Sequence, residues 1–177
     1  MPLLNISAEP DCWKALPSWG PEPAAPAGLS WQGLMRRALR LARTAARAGE
    51  IPVGALVVGP EGDILAEAHN ETEALHDPTA HAEVLALRRA AAKVGNHRLG
   101  GCILVVTLEP CLMCTGAIRE SRVSGVVFGA SDARAGAVCS CLEGLDYAQT
   151  GAQPWSYGGV EAGPCAEILR RFFQERR

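Results

Sequence analysis

The residues His81, Glu83, Cys111 and Cys114 could together perform hydrolytic chemistry. They fall in two short runs, His81-Ala82-Glu83 and Glu109-Pro110-Cys111-Leu112-Met113-Cys114. One imidazole and two thiolates suit a zinc ion, and a catalytic zinc keeps its fourth position open for water. The cation lowers the pKa of that water toward neutrality. Glu83 is left over from the ligand set. A carboxylate beside such a water can take its proton and return it to a ring nitrogen and a leaving group. Packed cysteines with a core histidine, or a redox Cys-x-x-Cys pair, would each account for one run alone. They do not account for both runs together.

The elements that must position these residues can be read from the flanks. Residues 81–92 hold strong helix formers and no breaker, with Asp77-Pro78-Thr79 as a turn before them. Residues 103–107 are a short β-branched run, which predicts a buried strand. Pro110 then opens a second helix over residues 112–120. Both ligand groups therefore fall at helix N-termini, where free N–H groups and the helix dipole favour thiolate and hydroxide. Cys111 and Cys114 are close enough within one turn to hold the same ion. A further strand over residues 123–128 completes a βαβ unit with parallel strands and a right-handed crossover.

The rest of the chain supplies a framework. Ser30 caps a helix over residues 31–48 that ends at Gly49, with Leu34, Ala38, Leu41 and Ala45 as its apolar stripe. Arg36, Arg40, Arg43 and Arg47 form a second stripe, read as a solvated face with phosphate contact as the alternative. Strands over residues 53–58 and 64–69 pair antiparallel across the turn Gly59-Pro60-Glu61-Gly62-Asp63. Asn70 follows, either as a turn residue or as an amide offered to a ligand. Residues 132–136 form a polar loop at the carboxyl end of a strand, a common place for ligand contacts. Residues 149–159 read as a loop in which Trp155 and Tyr157 pack, with stacking on a base or lining a partner surface as the alternative. A last helix spans residues 165–176 and begins at Pro164. Its adjacent Phe172 and Phe173 cannot both point inward. Cys139 and Cys141 read as free cysteines rather than a second metal site.

Composition sets outer bounds. The chain has 177 residues, 48% apolar and 20% charged, which suits one globular domain with a core. A net charge of −2 gives no global nucleic-acid signature. Seven cysteines, an odd number with two committed to metal, argue for a reducing compartment over a disulfide scaffold. No apolar run approaches the roughly 18 residues of a membrane span, and no secretory signal opens the chain. A cytoplasmic protein without membrane contact is expected. Residues 1–29, rich in Pro and Ala, are expected to be a flexible N-terminal extension to a domain over residues 30–177.

His-x-Glu followed by Pro-Cys-x-x-Cys is the signature of the zinc-dependent nucleobase deaminases, and longer stretches narrow the likeness. Ile51-Pro52-Val53-Gly54-Ala55, His69-Asn70, Asp77-Pro78-Thr79-Ala80-His81-Ala82-Glu83 and Val106-Thr107-Leu108-Glu109-Pro110-Cys111-Leu112-Met113-Cys114 resemble the bacterial tRNA adenosine deaminases. Phe128-Gly129-Ala130-Ser131-Asp132-Ala133 and Phe172-Phe173 match too. The likeness covers residues 31–177. It implies an α/β, cytidine-deaminase-like three-layer fold with a five-stranded mixed sheet flanked by helices. It implies a homodimer with one zinc per subunit, held by His81, Cys111 and Cys114, with Glu83 catalytic. The implied reaction converts the wobble adenosine of an arginine tRNA anticodon stem-loop to inosine. Asn70 and the backbone around Ala82 and Pro110 would hold the base. Asp132 and Phe173 would lie near the flanking loop. Residues Pro154 to Gly159 depart from the family pattern, as do Cys139 and Cys141. The competing reading is a small-molecule deaminase acting on guanine, cytosine or a nucleoside.

Overall fold

A computed structural model describes residues 22–26, 28–146 and 153–176. The remainder of the expected extension, including Cys12, Trp13 and Trp19, lies outside them, as does Ala152. Among the described residues the elements are α1 (Trp31–Arg47), β1 (Gly54–Val58), β2 (Ile64–His69), α2 (Thr72–Leu75), α3 (Ala82–Val94), β3 (Ile103–Leu108), α4 (Leu112–Ser121), β4 (Gly125–Ala130), β5 (Trp155–Tyr157) and α5 (Ala162–Gln174).

The sheet runs in the order β2-β1-β3-β4-β5. β1 is antiparallel to β2 and β3, while β3, β4 and β5 are mutually parallel. This is the mixed five-stranded sheet that the resemblance implied. β1 and β4 are buried along their whole length, as continuous apolar runs covered on both faces must be. α1 and α5 pack together over one face, and α3 and α4 together over the other.

α1 starts where expected, because the Ser30 hydroxyl accepts the N–H of Gly33 at 3.1 Å. Such a cap is worth about 1 kcal/mol. The helix buries Trp31, Leu34, Met35, Ala38, Leu39, Ala42 and Ala45. Its alanines let it lie close on β1. A Cβ on Gly54 would meet the backbone N of Ala42 at 2.7 Å, so only glycine fits there. Trp31 Nε1 donates to the Pro23 carbonyl at 2.7 Å, which docks residues just ahead of α1.

Three details differ from the expectation. The 149–159 stretch was read as loop, but residues 155–157 form an edge strand beside β4. Trp155 covers Gly125 and meets Trp31 edge-on at 6.0 Å, so packing fixes a strand that three residues of pattern do not reveal. α5 begins three residues before Cys165, with Glu161 as its cap at φ +52° and Pro164 inside its first turn. The short α2 was not foreseen. Its first-turn N–H groups are satisfied from afar by Glu50, which accepts from Glu73 N, Ala74 N and Thr72 Oγ1 at 3.2, 2.9 and 2.9 Å. Burial works against the Glu50 carboxylate, yet these donors hold its pKa below the ordinary glutamate range.

Candidate active site

His81 is the N-cap of α3 and Cys111 the N-cap of α4. Neither side chain caps its own helix, so both are free to point elsewhere. The two helices pack side by side on one face of the sheet, and this brings their starts together. His81 Nδ1 lies 3.7 Å from Cys111 Sγ and 3.5 Å from Cys114 Sγ. The three donor atoms all lie within 4.8 Å of one another. Tetrahedral zinc with its usual bond lengths sets nitrogen and sulfur about 3.6 Å apart. The donor set therefore fits zinc in element type, number and spacing. It is the one such His/Cys/Asp/Glu group among the described residues.

The electrostatics agree. Contact with Cys114 and with His81 pulls the Cys111 thiol down to about 4 against the cost of its burial. Contact with Cys111, helped by burial, pushes Cys114 up. The neighbouring Cys111 raises the pKa of His81. Without a cation the cluster holds protons among three ligands. A cation takes their place and makes both sulfurs thiolates.

Glu83 stands in the first turn of α3, buried, with its carboxyl against Cys114. Burial lifts its pKa to about 7, although His81 and its own backbone N–H favour the charged form. A carboxyl poised near neutrality can both accept and donate a proton at working pH.

Asn70 directly follows β2, beside this helix start. Its Oδ1 accepts the N–H of Ala82 at 2.8 Å. Among the described residues no acceptor meets the Asn70 amide nitrogen, so that donor remains for a ligand. Pro110 contributes its carbonyl to Ala137 N at 2.8 Å. Two backbone groups expected at the base are thus engaged within the protein.

Asp132 lies in the loop after β4 and is only 4% exposed. Its Oδ1 accepts from Arg134 N at 2.9 Å and Ala135 N at 3.3 Å, which folds its own loop. Phe172 is buried and Phe173 half-buried, meeting edge-on at 5.4 Å, so the pair divides as its adjacency required. Cys139 is half-buried and Cys141 exposed, and neither is in a disulfide.

Sequence reasoning assigned no role to Glu109. It is 2% exposed, directly before Pro110 and Cys111. Its carboxylate accepts from the N–H groups of Asp132, Val138, Cys139 and Ser140 at 3.0, 3.2, 2.8 and 2.9 Å, and from the Ser140 hydroxyl. Gly136 must be glycine because a Cβ there would run into this carboxylate and sit 2.6 Å from the Asp132 carbonyl. The one available signal was a charged residue between an apolar strand and the ligand turn.

A mixed sheet that sets two helix starts around His, Cys, Cys and a buried glutamate defines a zinc-binding deaminase. The model of the cytidine and deoxycytidylate deaminase zinc-binding region matches residues 30–130. A tRNA-specific adenosine deaminase of Haemophilus influenzae is 46% identical over 81% of this chain and 83% of its own. A tRNA(Ile)-lysidine synthase of Deinococcus deserti is 50% identical over 81% of this chain, which spans only 27% of that protein. A structure from a study of A-to-I editing by tRNA:A34 deaminases superposes with a TM-score of 0.74. It is 40% identical and covers 77% of this chain and 98% of its own. The chain belongs to the tRNA-specific adenosine deaminase family.

Proposed function

We propose that the protein deaminates the wobble adenosine of a transfer RNA, that of an arginine tRNA, to inosine. The observation that carries this reading is the buried Glu83 carboxyl beside the His81, Cys111 and Cys114 donors. Its support on the substrate side is the likeness to tRNA-specific adenosine deaminases over most of both chains.

When bound, zinc supplies Lewis-acid activation of one water at its open position. Glu83 accepts a proton from that water and delivers it to N1 of adenine. The C6–O bond forms, Glu83 takes the second proton from the new C6 hydroxyl and passes it to the amino nitrogen, and the C6–N bond breaks to release ammonia. Asn70 uses its carbonyl to hold Ala82, and thereby Glu83 and His81, at the start of α3. Its amide hydrogens are left to meet an acceptor on the flipped base. The anticodon loop makes flipping cheap, since its bases are unpaired and can splay outward.

The working unit in this reading is a homodimer. Leu112, Met113 and Leu142 are 62%, 36% and 51% exposed around the start of α4. A groove beside them is lined by Thr115, Gly116 and Glu143, among others. Exposed leucines adjoining the ligand helix favour a partner subunit there.

Inosine mapping in total tRNA incubated with the zinc-loaded protein tests the reading. Inosine should appear at the first anticodon position of an arginine tRNA, with little conversion of free adenosine. Efficient turnover of free guanine or cytosine with none on tRNA would replace it by a free-base deaminase. No helix among the described residues is long and apolar enough to cross a membrane.

A further inference from the structure

We propose a second nucleic-acid contact in the groove between α1 and α5, which holds phosphates of the RNA strand leading away from the deaminated base. This rests on the reading of the substrate as transfer RNA. The groove has a volume of about 550 Å³ and lies between the C-terminal turn of α1 and the length of α5. Those helices cover the sheet face opposite α3 and α4, so the groove is separate from the metal site.

Its floor is apolar, with Ile168 and the buried Phe172. Its walls carry Arg43 and Arg47 from α1 and Arg171 and Arg176 from the end of α5, all exposed. Tertiary packing alone makes this cluster, because the two helix ends are remote in sequence. Basic residues at a helix C-terminus complement its dipole, which explains Arg47 and Arg171 individually. It does not explain why four arginines converge on one groove whose one carboxylate outside an ion pair, among the described residues, is Glu175. Five other arginines, Arg36, Arg37, Arg88, Arg89 and Arg170, pair with carboxylates, while Arg40, Arg98 and Arg122 are exposed outside the groove. Among the described residues none of the four groove arginines is in such a pair. The lining includes Glu167 and Glu175, and Glu167 is already neutralised by Arg170. A chain of net charge −2 thus concentrates positive charge at one place.

The cluster is also partly organised in advance. The Arg176 guanidinium lies 3.7 Å over the Phe172 ring, and its Nη2 would be 3.8 Å from a Cβ on Gly49. Stacking fixes the fork across the groove, so less rotamer freedom is lost when it meets an oxyanion. Phe172 touches Phe173, the residue expected beside the flanking nucleotides. That ring contact links the groove to the RNA path that the family resemblance implies. Several planar cations over an apolar floor suit a sugar-phosphate strand, and phosphate contacts position RNA without reading its sequence.

The test is fluorescence anisotropy with a labelled arginine tRNA transcript and the zinc-loaded full chain. The variants are Arg43→Glu/Arg47→Glu and the milder Arg43→Gln/Arg47→Gln, checked for parental melting temperature and zinc content. The charge-reversed pair should weaken binding at least ~10-fold, and the log–log salt slope should fall by about two, one per lost phosphate contact. Parental affinity and slope in whichever variant keeps its fold would overturn the proposal. So would a change in oligomer mass by light scattering with RNA affinity intact, which would make the groove a protein interface. Binding is read without turnover. A parent that forms no inosine in tRNA but loses RNA affinity in the variants would sink the functional reading and leave this groove.

Discussion

The side chain of Asn70 accepts the backbone N–H of Ala82 at 2.8 Å, joining the end of β2 to the first turn of α3. Ala82 stands between the ligand His81 and the carboxyl Glu83, so one amide sets the position of both. Asn70→Ala leaves a buried donor without a partner, at a cost of about 1–3 kcal/mol. Both turnover and the melting temperature should fall. A melting temperature equal to the parent's with turnover lost would mean that the amide serves the substrate alone.

Glu83→Gln should retain zinc and lose at least ~10²-fold in turnover, the low end for a general acid–base group. In the metal-free protein it should also melt higher than the parent at neutral pH. The folded state lifts the Glu83 pKa to about 7, above its unfolded value. Stability is therefore complete below the unfolded value and is lost as pH rises through 7, while the amide carries no such term. Calorimetry of both chelated proteins at pH 5 and pH 8 checks this by difference, since Cys111 titrates alike in both; a variant whose advantage over the parent shrinks from pH 5 to pH 8 would contradict it.

Zinc removal should unmask one reactive sulfur. Cys111 is drawn down to about 4 in the metal-free cluster and Cys114 is pushed up. After chelation, iodoacetamide should modify Cys111 well before Cys114, at a rate almost flat from pH 5 to 8. Bound zinc should protect both, and Cys111→Ala/Cys114→Ala should retain no stoichiometric metal. Mass spectrometry of the labelled peptides gives the order directly.

Glu109→Ala removes one acceptor shared by five donors in the 131–140 loop. Each buried N–H left unpaired costs about 1–3 kcal/mol unless water reaches it. Hydrogen exchange at Val138, Cys139 and Ser140 should accelerate by more than ~5-fold, the low end of that range for one lost bond. Exchange at the β1 amides should change less. Uniform acceleration through the sheet would assign Glu109 to global stability instead of the loop.

Leu112→Glu places a charge on the exposed turn that begins α4. Light scattering should give a dimer mass for the parent at micromolar concentration and a monomer mass for the variant. A monomeric parent would remove the dimer from the proposed function.

The sequence by itself singled out the His/Cys/Cys group that could hold zinc, the glutamate beside it and the elements that carry them. Ligand chemistry constrains residue types and short spacings, and strong helix formers after His81 and Pro110 make the helix starts local facts. The parallel β3–β4 pair followed for the same reason, since a strand, one helix and a strand leave little choice of topology. Tertiary structure decided whatever depends on distant partners. β5 exists because Trp155 packs on Gly125 and Trp31, and its three residues carry no period of their own. α2 is held by Glu50, more than twenty residues away in sequence. Glu109 looks like a stray charge until the loop folds over it. The arginines of α1 show the same division. Spacing placed Arg36, Arg40, Arg43 and Arg47 on one stripe, but the fold paired Arg36 with Glu161 and set Arg43 and Arg47 against the end of α5. Periodicity fixes which face a side chain occupies, and only packing fixes what that face meets.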